Sequence, residues 1–234
     1  MFDSIGSHEL NGIALLIFVI CFKGYALYAS RHAKRSICLA SELHQARFDW
    51  MREMLSREVR VADNTAIANL ERSVSFFAST TMLILAGLMT ILGSTEKAIG
   101  LVAEIPFVSQ ASRAEWELKL VVLIFVFVYA FFKFTWSLRQ YGFVTVMIGA
   151  ADHIVNTDDN AAKLDKAAQR IAKMGSMAAH NFNVGLRTYY FSMSILAWFI
   201  NPWLFMFCSA AVVLVLYRRE FKSSTLRTLR GLDS

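Results

Sequence analysis

The chain has 234 residues, of which 56% are hydrophobic and 18% charged, with 24 Lys and Arg against 18 Asp and Glu and a formal net charge of +6. Its apolar residues gather in long runs without regular polar faces, which excludes a soluble helical bundle, whose buried helices are shorter. Three cysteines with no CxxC spacing support neither a disulfide scaffold nor a thiolate metal site, and the basic excess lies between the apolar runs, where it marks topology and anionic-lipid contact rather than nucleic-acid binding.

Residues 10–30 form the first stretch long enough to cross a bilayer, since about 20 apolar helical residues span the hydrocarbon. The nine residues before it carry no basic side chain, so it reads as a span and not as a cleaved signal peptide. Residues 41–60 read as an amphipathic helix, with Leu43, Ala46, Trp50 and Met54 on one face and Glu42, Arg52, Arg57 and Arg60 among the polar positions. Such a helix lies in the headgroup region or packs on its neighbours. Asp63, Asn64 and Thr65 offer N-cap chemistry for a helix that runs through Glu71 and Arg72 into a second span at 74–93. A third span at 118–138 is rich in aromatic residues between positions 125 and 136, which lipid-facing and interhelical packing explains.

Asn156, Thr157, Asp158, Asp159 and Asn160 form another helix-start signal, followed by Leu164, Ala167, Ile171, Met174 and Ala178 on one face. Ala168, Ala172 and Ser176, with Gly175 and Ala179, are small residues that permit close helix contact. The last apolar segment, 188–217, is broken once, by Asn201 and Pro202. Proline is tolerated at the start of a helix and costly in its interior, so the segment predicts two helices with Pro202 opening the second. Trp198 and Trp203 flank that turn, as interfacial anchors would. Residues 188–200 alone make only about 20 Å of helix. The fourth helix must therefore begin near Ala178 and draw Arg187 into the membrane, or else the pair forms a re-entrant hairpin.

Orientation follows from basic residues in the short connections. The first connection carries Arg31, Lys34, Arg35, Arg47, Arg52, Arg57, Arg60 and Arg72, whereas the next carries only Lys97 and Arg113 among Glu96, Glu104, Glu115 and Glu117. The N-terminus is expected outside and the first connection in the cytoplasm. Lys163, Lys166, Arg170 and Lys173 place the following connection inside too, and a hairpin returns Arg218, Arg219, Lys222, Arg227 and Arg230 to the same side. The expected fold is all-α: a polytopic transmembrane helical bundle of about five membrane helices, the last two a Pro-broken hairpin. It forms a single integral membrane domain over 1–234, with cytoplasmic helical connections at 31–73 and 151–177 and a basic cytoplasmic tail at 218–234.

Charges placed by depth give the candidate site. Lys23 falls about two-thirds of the way down the first span at 1.5 Å per residue, and Lys133 reaches a similar depth on the third. Arg139 lies at the inner end of that span and Arg187 on the fourth helix above the inner surface. These four cations are expected to line a layer near the inner leaflet, as a vestibule for an anion, a phosphate-bearing lipid or an anionic substrate. The competing expectation is that Lys23 and Lys133 snorkel to the headgroups while Arg187 pairs with Glu71, Asp152 or a backbone carbonyl. The five histidines show no i, i+4 pair and no HExxH, and neither a glycine-rich phosphate loop nor a GxSxG turn is present. No metal, cofactor or catalytic residue is expected, and no acid–base pair falls inside a span.

Three segments carry a family resemblance: residues 72–81 (RSVSFFASTT), 129–141 (YAFFKFTWSLRQY), and 185–191 (GLRTYYF) through 217–221 (YRREF). They resemble the DUF599 family over nearly the whole chain. The resemblance implies a multi-span membrane protein of bacterial type, hence the inner membrane, and brings no catalytic residues. Two functions are open: a homo-oligomeric channel or transporter whose cationic layer handles an anion or anionic lipid, and a non-catalytic accessory subunit that packs against partner membrane proteins through the small-residue helix faces.

Overall fold

The computed structural model describes residues 6–32, 38–103, 112–154, 157 and 159–231. Lys34, Arg35, Glu104, Asn156 and Asp158, used above to read the connections, lie outside the described residues. All elements among the described residues are helices: α1 (Ser7–His32), α2 (Leu39–Leu55), α3 (Val61–Gly93), α4 (Thr95–Ala103), α5 (Arg113–Ala150), α6 (Ala161–Trp198), α7 (Pro202–Phe221) and α8 (Ser224–Leu229). Three are long and apolar enough to cross a membrane: α1 over Glu9–Ala29, α3 and α5.

Local chemistry accounts for three helix starts. The α7 start follows the sequence expectation: Pro202 is the first helical residue and the Asn201 side chain accepts the Trp203 amide hydrogen at 2.8 Å. At the start of α2 the Cys38 amide donates to Ser41 Oγ at 3.0 Å, and that hydroxyl donates to the Cys38 carbonyl at 2.8 Å. The α6 start follows Asn160, whose carbonyl accepts from the Leu164 amide at 2.9 Å.

Four expectations are corrected. The helix expected over 41–60 runs instead over Leu39–Leu55, and its buried residues are Met51, Met54 and Leu55, while Ala46 is exposed. Helix α3 starts at Val61, before the expected cap. Asp63 is buried in its first turn, where it accepts from Trp50 Nε1 at 2.7 Å and pairs with Arg57 at 3.2 Å; the positive end of the helix favours a carboxylate there. The fourth helix does not begin near Ala178: α6 is one continuous helix of 38 residues that joins the small-residue stretch to the apolar segment. Trp198 is buried and gives its indole N–H to Asn11 Oδ1 at 2.7 Å, whereas Trp203 is exposed as an anchor would be.

The chain divides into two compact units: unit 1 comprises Met1–Ser36, Met82–Tyr129 and Leu186–Ser223, and unit 2 comprises Ile37–Thr81, Ala130–Gly185 and Ser224–Ser234. Within unit 1, α1 packs along α7, and aromatic residues make up nearly half of the core. Phe18 meets Phe191 edge-on at 5.8 Å and Phe205 at 5.3 Å, and Trp198 stacks on Phe205 at 4.9 Å. Such pairs add about 0.5–1.5 kcal/mol each beyond the area they bury.

Within unit 2, Phe134 is fully buried between Phe77 and Phe182, at 5.5 and 5.8 Å. The small residues of α6 are used there. Ala168, Ala172 and Ala178 are buried, and Gly175 approaches Arg47 of α2 and Val144 of α5. Arg60 fastens the end of α5, donating to the carbonyls of Ile148 (3.1 Å), Ala151 (2.6 Å) and Asp152 (2.9 Å). These are carbonyls that a helix end otherwise leaves without partners.

Candidate functional site

Lys23 and Arg187 belong to unit 1, and Lys133 and Arg139 to unit 2. In unit 1, cations meet aromatic rings. The Arg187 guanidinium lies 5.8 Å from the Tyr25 ring centroid, and exposed Lys23 lies 5.9 Å from Phe22. Arg219 donates to the Tyr190 hydroxyl at 2.9 Å and lies 5.9 Å from its ring, and Lys222 lies 5.8 Å from Tyr217. Ring contacts between Tyr28 and Tyr217 (6.1 Å) and between Tyr28 and Phe221 (5.9 Å) join the second half of α1 to the end of α7.

These residues form one cationic and aromatic belt drawn from α1, α6 and α7. A guanidinium over a ring face gains about 0.5–2 kcal/mol according to its hydration. A ring-face contact consumes none of the N–H donors, and in a guanidinium those are the donors that grip a carboxylate or phosphate in pairs. Among the described residues of unit 1, Arg187 has no carboxylate within 4.0 Å, and none of its N–H groups donates a hydrogen bond.

Unit 2 presents Lys133 differently. Its ammonium donates to Asn181 Oδ1 at 3.4 Å, and the same amide donates from Nδ2 to Gln140 Oε1 at 2.8 Å and to the Met177 carbonyl at 3.1 Å. Ser137 Oγ adds a bond to the Ala178 carbonyl at 2.7 Å. Lys133, Ser137 and Gln140 thus make a polar stripe on α5 that meets α6 by hydrogen bonds, as polar residues do between membrane helices. Arg139 is exposed. Glu71 accepts from Thr145 Oγ1 at 3.2 Å, and Asp152 borders a groove at the α5–α6 connection.

Sequence reasoning passed over one buried cation, Lys119, and gave a half-buried one, Arg47, only a role in topology. Lys119, in the first turns of α5, is only 1% exposed, and its ammonium donates to the Trp198 carbonyl at 3.0 Å while lying 5.5 Å from the Trp198 ring and 6.0 Å from that of Phe199. A lone lysine in an apolar run was the available signal. Arg47 on α2 borders a gap of about 20 Å³ beside Tyr141 and Gly175, and is 3.5 Å from Ser176 Oγ. Burial lowers its pKa from the ordinary arginine value, opposed by the neighbouring Tyr141. His44 Nδ1 completes this contact at 2.8 Å from the same serine oxygen.

Among the described residues no group of three or more His, Cys, Asp and Glu side chains comes together as a metal site. No curated protein and no solved structure matches the chain. A family model described as "Protein of unknown function, DUF599" matches residues 13–225, nearly the full length of the belt-bearing helices and their connections, and the chain belongs to that family.

Proposed function

We propose that the protein is a bacterial inner-membrane protein in which α1, α3, α5 and the α6–α7 hairpin all cross the bilayer, N-terminus outside and C-terminus cytoplasmic. Its function in this reading is to hold an anion or the headgroup of an anionic lipid at the inner leaflet, as a homo-oligomeric channel or transporter. Helix α7, with 20 residues, has the length of a span, and the Pro202 turn supports the hairpin. The basic residues of the first and third connections and of the tail then share the cytoplasmic side.

The observation that carries the reading is Arg187: a guanidinium 5.8 Å from the Tyr25 ring centroid whose N–H groups donate no hydrogen bond among the described residues of unit 1. Lys23 adds a second cation in unit 1, and Lys133 and Arg139 are the proposed cations of unit 2. The accessory-subunit reading leans on the small-residue face of α6, but Gly175 and Ala172 pack inside unit 2, so that face argues for internal packing.

The test uses the full chain in nanodiscs of mixed phosphatidylglycerol and phosphatidylcholine. Arg187→Gln is expected to lower retained phosphatidylglycerol about tenfold, the equivalent of one charge-assisted hydrogen-bond pair, while Arg187→Lys retains part of it. An Arg187→Gln variant with wild-type melting and unchanged retention overturns the proposed site.

A further inference from the structure

Unit 2 contains a second cationic feature, unconnected in argument with Arg187. A groove of about 500 Å³ opens where the end of α5 meets the start of α6, and this volume is in the range of small-molecule sites. Its walls carry Lys163, Lys166 and Arg170 from α6 and one carboxylate, Asp152. The apolar part comes from Leu55 at the end of α2, Met147 on α5, Ile154, and Ile171 on α6. Ala167 lies between the cations and is small enough to leave the groove open.

The three cations occupy positions i, i+3 and i+7 of one helix face, a spacing at which like charges repel. Among the described residues none of the three forms an ion pair. The nearest acid on the same helix, Asp165, is held by Arg52 at 2.7 Å. Helix propensity does not require this arrangement, because a carboxylate at any of these positions would relieve the repulsion. An anion in the groove would relieve it also, and the apolar wall beside the cations gives that anion a place for a hydrophobic group.

We infer that this groove binds a phosphate monoester carrying an apolar group, its phosphate among Lys163, Lys166 and Arg170 and its apolar part against Met147 and Ala167, backed by the buried Leu55, Ile154 and Ile171. The ligand has two sources of the same chemistry: a membrane lipid with a monoester headgroup, or a soluble organic phosphate. Asp152 at the rim disfavours a second anion and favours a singly phosphorylated ligand.

The experiment uses full-length protein in phosphatidylcholine nanodiscs, with calorimetric titration of hexyl phosphate and, separately, measurement of phosphatidic acid retention. The Lys163→Gln, Lys166→Gln, Arg170→Gln triple variant is expected to weaken binding at least about tenfold. Ala167→Phe, which fills the groove and keeps all three charges, is expected to weaken it to a similar degree. Binding of hexyl phosphate supports the site with a soluble ligand, and retention of phosphatidic acid alone supports it with a lipid ligand. If neither probe binds more tightly than inorganic phosphate or phosphatidylcholine respectively, the inference is overturned. It is also overturned if Ala167→Phe binds like the wild type, because the cations then attract anions as an open surface.

Discussion

Lys119→Glu destabilises the detergent-solubilised protein by about 3–5 kcal/mol, the cost of leaving a buried charge without compensation. The ammonium it replaces donates to the Trp198 carbonyl at 3.0 Å. Trp198 is the last residue of α6, where the helix dipole presents its negative end. The same tryptophan donates to Asn11 on α1, and Asn11 Nδ2 donates to Glu115 on α5 at 3.2 Å, so one lysine anchors a network that ties α1, α5 and the α6–α7 turn of unit 1. A carboxylate there faces a carbonyl oxygen and the negative faces of two rings. Lys119→Met leaves the carbonyl without its donor but adds no charge, and is expected to cost only about 1–3 kcal/mol.

A Lys119→Glu deficit in melting temperature no larger than that of Lys119→Met contradicts the burial and bonding of Lys119.

Gly185→Ala is the second large effect. A Cβ at this position would overlap Phe134 Cε1 and lie 2.8 Å from Cδ1 and Cζ. Alanine gains up to about 1 kcal/mol in helix propensity over glycine. Overpacking costs about 1–3 kcal/mol, and more where the obstructing group cannot move. The Phe134 ring is fully buried between Phe77 and Phe182, so the steric term wins and the expected net loss is about 1–2 kcal/mol. Phe134→Leu in the same chain should recover part of the loss, giving a coupling of about 0.5 kcal/mol or more in a double-mutant cycle. Strict additivity of the two changes would show that Gly185 and Phe134 do not share the space.

Features set by local chemistry were legible in the sequence. Asn201 and Pro202 announce the start of α7 because a cap and a first-turn proline act within a few residues. Features set by distant partners were not. Asp63 resembles a cap in sequence, but Trp50 and Arg57 capture its carboxylate and the helix begins earlier. Trp198 resembles an interfacial anchor until Asn11, nearly the whole chain away, supplies an acceptor that lets it be buried. The rise in hydropathy along α6 marks a change of surroundings and not a helix break, since neither Gly175 nor Gly185 interrupts its backbone. Of the candidate cations, Lys23 meets the ring of its own chain neighbour Phe22, whereas the Tyr25 partner of Arg187 depends on how α1 and α6 pack in unit 1.

Native mass spectrometry of the protein extracted gently from its own membrane tests the proposed anion-handling function most directly, because subunit identity, copy number and retained lipid are read together. The predicted result is a closed homo-oligomer carrying anionic lipid in excess of its share of the membrane, with that excess lost in Arg187→Gln. A mixed complex with other proteins, holding anionic lipid only in proportion to the bulk, would contradict it and make the chain a subunit whose function lies with its partner.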